Sequence, residues 1–174
     1  EVEASLSTSQ SVVSTTTPSV FGAQIYPRRA TTSVISHAVE ANLSWIRYDG
    51  LYWADIEAQE GVYDWNIESV KTFEEEMARL TKNGLTPMVV VRKTPTWAQK
   101  IDGYFCGPIK EEALDEFADF MGELVTRYSA PPYNVMYWEI WNEPDVEYAP
   151  VTPDHLFGCW GDRNDPYYGG GYYA

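Results

Sequence analysis

The chain has 174 residues, 44% hydrophobic and 22% charged, an ordinary globular composition long enough for one domain with its own core. Its 26 acidic residues outnumber 12 basic ones, and the formal net charge of -14 argues against a nucleic-acid surface or an anionic membrane as partner, since binding polyphosphate takes a basic footprint. Neutral sugars stay compatible with this charge, and no stretch is apolar enough to be a transmembrane candidate.

Residues 1–19 are about half Ser and Thr, with few large apolar residues and no period, so they cannot offset their own ordering entropy and read as a flexible tail. Such tails are common in exported proteins and accept O-linked sugar, and Asn42-Leu43-Ser44 is an N-glycosylation sequon of a kind that also arises by chance. From residue 20 strands and helices alternate. Phe21 to Tyr26 reads as a first strand, and a helix capped by Thr32 or Ser33 follows, burying Val34, Ile35, Ala38 and Val39. Ser44 to Tyr48 reads as a second strand, and Asp49 to Trp65 as a long loop. Ile67, Val70, Phe73, Met77 and Leu80 recur at helical spacing until Asn83-Gly84 stops them. Met88 to Val91 is a continuous apolar run, as in a strand covered on both faces. In the third helix Leu114, Phe117, Met121, Leu124, Val125 and Tyr128 make an inner stripe, and the acidic run from Glu111 to Glu123 is its solvated side. Val135 to Ile140 closes the series as a fourth strand.

Parallel strands joined by helices form either a barrel or an open doubly wound sheet. No Gly-rich phosphate loop follows the first strand, as a dinucleotide fold would require, so the barrel is favoured. A barrel places every strand-to-helix loop on one face, gathering Arg47, Tyr52, Trp53, Trp97, Asn142 and Glu143 there.

The densest chemistry lies in Tyr137-Trp138-Glu139-Ile140-Trp141-Asn142-Glu143-Pro144-Asp145, an aromatic strand that ends in an amide, a carboxylate and a proline. Pro144 has no N–H to extend a ladder, so the chain turns where Glu143 is displayed. Barrel glycosidases use two carboxyl groups flanking the scissile bond, and Glu143 fits the proton donor, with the Asn142 amide placed for a sugar hydroxyl. The plainer reading of Asn-Glu-Pro is a turn or a helix cap. Seven Trp and thirteen Tyr supply flat faces for pyranose rings, although most such rings serve as core and wall.

The segment Trp138 to Pro144 resembles the strand-four signature of the large clan of retaining (β/α)8-barrel glycoside hydrolases that contains cellulases, xylanases, mannanases and β-xylosidases. Other segments agree in order: Trp45 to Asp49 resembles the second strand, Trp53 to Glu57 and Gly61 to Trp65 the loop after it, and Thr94 to Ala98 the loop after the third. The family 39-like, β-xylosidase branch is nearest. The resemblance implies an α/β chain forming the N-terminal half of a (β/α)8 TIM barrel, strands one to four with the start of helix four, over residues 20–174. It implies Glu143 as catalytic acid/base and places Arg47 where the clan often hydrogen-bonds its nucleophile; a competing structural reading pairs Arg47 with Glu139 inside the barrel. Asn142, Arg47, Trp97, Trp53 and Tyr52 are then candidate substrate-binding residues, and Arg92-Lys93 stands where some members carry a histidine.

The clan's nucleophile is a second glutamate at the end of strand seven, so the expected enzyme is longer than this chain, and these residues alone are expected to be inactive. The expected partners are a β-linked polysaccharide or oligosaccharide and the remainder of the barrel. The alternative is a non-catalytic carbohydrate-binding or structural half-barrel completed by another chain. No cofactor motif, no metal-ligand spacing at His37 or His155, no nucleic-acid footprint and no Gly-x-Ser-x-Gly elbow is present. Asp162, Asn164 and Asp165 read as an ordinary turn. Cys106 and Cys159 fall in the loops after strands three and four; in an exported protein they are candidates for a disulfide, and in a cytosolic one they would be free thiols. The tail favours a secreted or extracellular protein.

Overall fold

The computed structural model describes residues 18–147, 152 and 157–161. Residues 1–17 of the expected tail, His155, the group Asp162, Asn164 and Asp165, and the expected start of helix four lie outside the described residues. Four strands, β1 (Gly22–Ile25), β2 (Trp45–Tyr52), β3 (Thr86–Arg92) and β4 (Tyr137–Ile140), form one sheet in the order β1-β2-β3-β4 with every pairing parallel. Each strand lies beside its sequence neighbour. A series of that order has no point where the winding reverses, which separates it from a doubly wound sheet and gives the arc of a barrel.

The helices are α1 (Thr32–Glu40), the single turn α2 (Trp53–Ile56), α3 (Glu68–Lys82) and α4 (Leu114–Tyr128). Period-two alternation sorts the strand side chains between two faces. Ile25, Ile46, Tyr48, Val89 and Val91 share one core with Phe73, Met77 and Leu80 of α3 and with Phe117, Phe120 and Leu124 of α4. Full burial of Phe73, Met77 and Leu80 stabilises the fold by about 2 kcal/mol each. Val90 is equally buried but lies outside that cluster, on the concave face with Arg47, Asp49 and Glu139. Trp45 and Tyr137, the first residues of β2 and β4, meet edge-on at 4.9 Å on the same face.

A buried carboxylate ties the layers together. Glu76 of α3 accepts hydrogen bonds from Arg28 N (3.0 Å), Ala30 N (2.8 Å) and Tyr48 Oη (2.7 Å), so the β1–α1 loop, β2 and α3 meet at one charge. Three donors, one of them a phenol held well above its ordinary range by burial and by this bond, offset the cost of burying the carboxylate.

Several boundaries depart from the sequence expectation. The cap of α1 is Thr31, whose hydroxyl accepts from Val34 N at 3.3 Å, so Thr32 and Ser33 sit inside the first turn. Ile35 and Ala38 are buried as expected, whereas Val34 and Val39 remain exposed. Strand β2 runs on to Tyr52, and α2 occupies part of the expected loop. Its register with β3 shifts between Asp49 and Leu51, a bulge at Gly50. A side chain at Gly50 would collide with the Pro27 ring, 2.2 Å from Cγ. In α4 the buried stripe is Phe117, Phe120, Leu124 and Tyr128, with Leu114 and Val125 exposed at one margin. Among the described residues no helix is long and apolar enough to cross a membrane.

Candidate active site

Strand β4 ends in a backbone conformation that few L-residues adopt. Trp141 and Glu143 have φ of 69° and 48°, in the left-handed region. A residue with a Cβ is disfavoured there by roughly 1–2 kcal/mol, so neighbouring contacts must hold the turn. Trp141 is buried: its N donates to Val91 O (2.8 Å), its indole Nε1 donates to Cys106 O (3.1 Å), and its ring packs edge-on against Trp160 at 4.8 Å. With Trp141 anchored in the helix-side core, Asn142 and Glu143 are carried past the strand end, and Glu143 is exposed.

Asn142 is oriented by charge. Arg47 Nη2 donates to Asn142 Oδ1 at 3.0 Å, and because a guanidinium can only donate, the amide N–H2 of Asn142 remains available for an acceptor. Arg47 is held in turn by Glu139 through two bonds, Nε to Oε2 at 2.7 Å and Nη2 to Oε1 at 2.6 Å, and Nη1 donates to Gln24 Oε1 at 2.5 Å. The bond to Glu139 raises the Arg47 guanidinium above its ordinary value against the opposing effect of burial. The structural pairing of Arg47 with Glu139 is thus present, and the same guanidinium also reaches the residue beside Glu143. Gln24 was not singled out by the sequence, although its place on the inner side of the first strand, in register with Arg47, was a usable signal.

A second cluster crowns β2 and β3. Arg92 Nε donates to Asp49 Oδ1 at 2.6 Å in an ion pair almost wholly shielded from water, and Arg92 Nη2 reaches Tyr52 Oη at 3.3 Å. Lys93 Nζ stands 4.5 Å from the centroid of the half-buried Tyr52 ring. Burial raises the Tyr52 phenol, with Arg92 opposing. Arg92 therefore belongs to an internal pair, while Tyr52 stays at the rim.

Trp53 does not share that rim. It is fully buried, stacks at 5.9 Å on Phe120, and donates from Nε1 to Glu57 Oε2 at 2.6 Å, so it is a core residue and not a sugar platform. Trp97 is half-buried, meets Trp53 edge-on at 5.3 Å, and donates from Nε1 to Glu57 O at 2.9 Å. Cys106 and Cys159 form a disulfide with Cα atoms 5.2 Å apart, joining the loops after β3 and β4. A groove of about 410 Å³ opens between Asp55, Lys93, Pro95, Thr96 and Phe105, and a shallower hollow of about 290 Å³ lies on the concave face by Gln24, Trp45, Arg47 and Met88. His37 is exposed on α1 and pairs with Glu40 at 3.5 Å, and among the described residues no three His, Cys, Asp or Glu side chains are grouped to hold a metal ion.

Solved glycoside hydrolases are among the structures this chain is similar to in fold. A family 39 glycoside hydrolase from the gut symbiont Bacteroides cellulosilyticus WH2 superposes with a TM-score of 0.52 at 22% identity, over 72% of this chain and 25% of the hydrolase. The family 39 enzyme from Xanthomonas axonopodis pv. citri gives 0.51 at 19% identity, over 72% of this chain and 27% of its own. A monomeric β-xylosidase from Caulobacter crescentus CB15 likewise gives 0.51 at 19%, over 72% and 28%. The likeness is one of fold. The four-stranded parallel arc is the α/β architecture of these barrels, and the chain spans about a quarter of their length. No protein-family model matches the sequence, and a comparison with curated proteins finds no relative.

Proposed function

We propose that this chain carries the acid/base half of a retaining glycoside hydrolase that cleaves a β-linked oligosaccharide or polysaccharide. The observation that carries the reading is the turn after β4: exposed Glu143 next to an Asn142 whose amide is oriented by the Arg47–Glu139 pair, on a half-barrel fold shared with family 39 hydrolases. Glu143 donates its proton to the leaving oxygen and then deprotonates the water that releases the sugar. Asn142 donates from its amide to a sugar hydroxyl, Arg47 steadies the nucleophile carboxylate, and Tyr52 and Trp97 line the approach. The nucleophile belongs to a later strand of the barrel, so residues 1–174 by themselves are inactive. The fold neighbour described as a β-xylosidase makes β-xylosides the first substrates to try. The Cys106–Cys159 bridge supports a secreted, extracellular protein, because such bonds persist in oxidising compartments.

The test is proton NMR of the product anomer released from β-glycosides by the complete enzyme. Hydrolysis with retention supports the reading. Binding of the oligosaccharide without hydrolysis, or inversion at the anomeric carbon, contradicts it.

A further inference from the structure

The described part of the loop after β4 runs back along the turn that bears Glu143. Gly158 N donates to Asn142 O (2.5 Å), Trp160 N to Pro144 O (3.0 Å) and Gly161 N to Val146 O (2.9 Å), and Glu147 and Gly161 form a parallel bridge. Residues 157–161 therefore act as a strap that satisfies alternate carbonyls of the turn, groups beyond the reach of the β3–β4 ladder. The approach excludes side chains. A Cβ on Gly158 would lie 2.7 Å from Pro144 Cα and 2.9 Å from the carbonyl oxygens of Asn142 and Glu143, and one on Gly161 would lie 2.7 Å from Asp145 O.

Between these two glycines sits Cys159, bonded to Cys106. Cys159 N donates to Cys106 O at 2.9 Å, and that same carbonyl accepts the Trp141 indole at 3.1 Å. One carbonyl thus joins the loop after β3, the strap and the first residue of the turn. The two left-handed residues of the turn, Trp141 and Glu143, are what this scaffold holds in place.

Resting on the reading of Glu143 as acid/base, we propose that the disulfide-tethered strap 157–161 is a positioning element for that carboxyl, acting through the backbone of residues 141–146. Gly158, Gly161, Cys106 and Cys159 are its positioning residues. Displacing a catalytic group by about 1 Å lowers turnover by about 10²-fold, so a strap that fixes the turn acts on the rate of proton transfer more than on sugar binding.

The experiment compares a phenyl and a 2,4-dinitrophenyl β-glycoside in the complete enzyme, because only the first needs a proton on its leaving oxygen. Gly158→Ala is expected to lower kcat/KM for the phenyl glycoside by ~10-fold or more while changing the dinitrophenyl glycoside by less than about 3-fold. The double variant Cys106→Ser with Cys159→Ser should show the same split, which keeps the test open if Gly158→Ala does not fold. Equal losses on the two glycosides, or no loss in the folded variants, would overturn the proposal. Hydrolysis of neither glycoside by the unsubstituted enzyme would overturn the glycosidase reading itself, and this proposal with it.

Discussion

Arg47 and Glu139 stand on strands that are not neighbours, yet their side chains meet across β3 in a two-pronged ion pair at 2.6 and 2.7 Å. Their side-chain exposures of 23% and 36% place the pair between the surface and the interior, where planar two-bond geometry is worth more than an isolated surface contact. A double-mutant cycle with Arg47→Ala and Glu139→Ala should give a coupling of about 1–2 kcal/mol from urea midpoints. Arg47→Lys should recover little of it, since an ammonium cannot present the same fork to Glu139 while also reaching Gln24 and Asn142.

Glu76 is the second place where one side chain holds several elements. Glu76→Ala strands two backbone N–H groups and the Tyr48 hydroxyl at a buried site, and is expected to cost about 3–5 kcal/mol, read as a lowered urea midpoint. Tyr48→Phe, which removes one of the three bonds, should cost about 1 kcal/mol.

The same phenol gives a pH signature. Tyr48 is raised in the folded state by burial first and by its bond to Glu76 second. The stability it contributes is therefore complete below the unfolded value near ~10 and declines as pH climbs above it, by about 1.4 kcal/mol per pH unit for one group. Urea midpoints across the alkaline range should fall more steeply for the unsubstituted protein than for Tyr48→Phe. Parallel curves would contradict the assignment.

The Cys106–Cys159 bridge closes a sequence separation of 53 residues. By the chain-entropy relation its removal should cost roughly 4 kcal/mol, and calorimetry on the double serine variant measures it. Both sulfurs belong to buried residues, so the bridge should also react slowly with added thiol.

How much of this was legible in the sequence depended on what a residue's neighbours had to be. The α3 stripe of Val70, Phe73, Met77 and Leu80 was readable because one helix face packing on a sheet produces a clean period. The α4 stripe was half readable. Leu114 and Val125 fall eleven residues apart, three turns along one margin of that face, so hydrophobicity alone could not tell them from the centre, and Phe120 on the opposite margin was passed over. Trp53 leaves the rim for a topological reason. The bulge at Gly50 shifts the register at the end of β2, bringing Tyr52 beside Arg92 while Trp53 turns into the core, and no local pattern announces that shift. The Asn-Glu-Pro turn stood out because amide, carboxylate and proline after an aromatic strand are chemically unusual. The strap that braces it was hidden, since Gly158 and Gly161 have no side chains to advertise contacts made by their backbone.

Whether Glu143 protonates the leaving oxygen is decided by Glu143→Gln in the complete enzyme. With an acid/base at Glu143, turnover of a phenyl β-glycoside by that variant should fall by at least ~10²-fold, the first step with a dinitrophenyl glycoside should be nearly unchanged, and added azide should restore turnover by replacing the water that Glu143 would deprotonate. Unchanged turnover of the phenyl glycoside by that variant would contradict it.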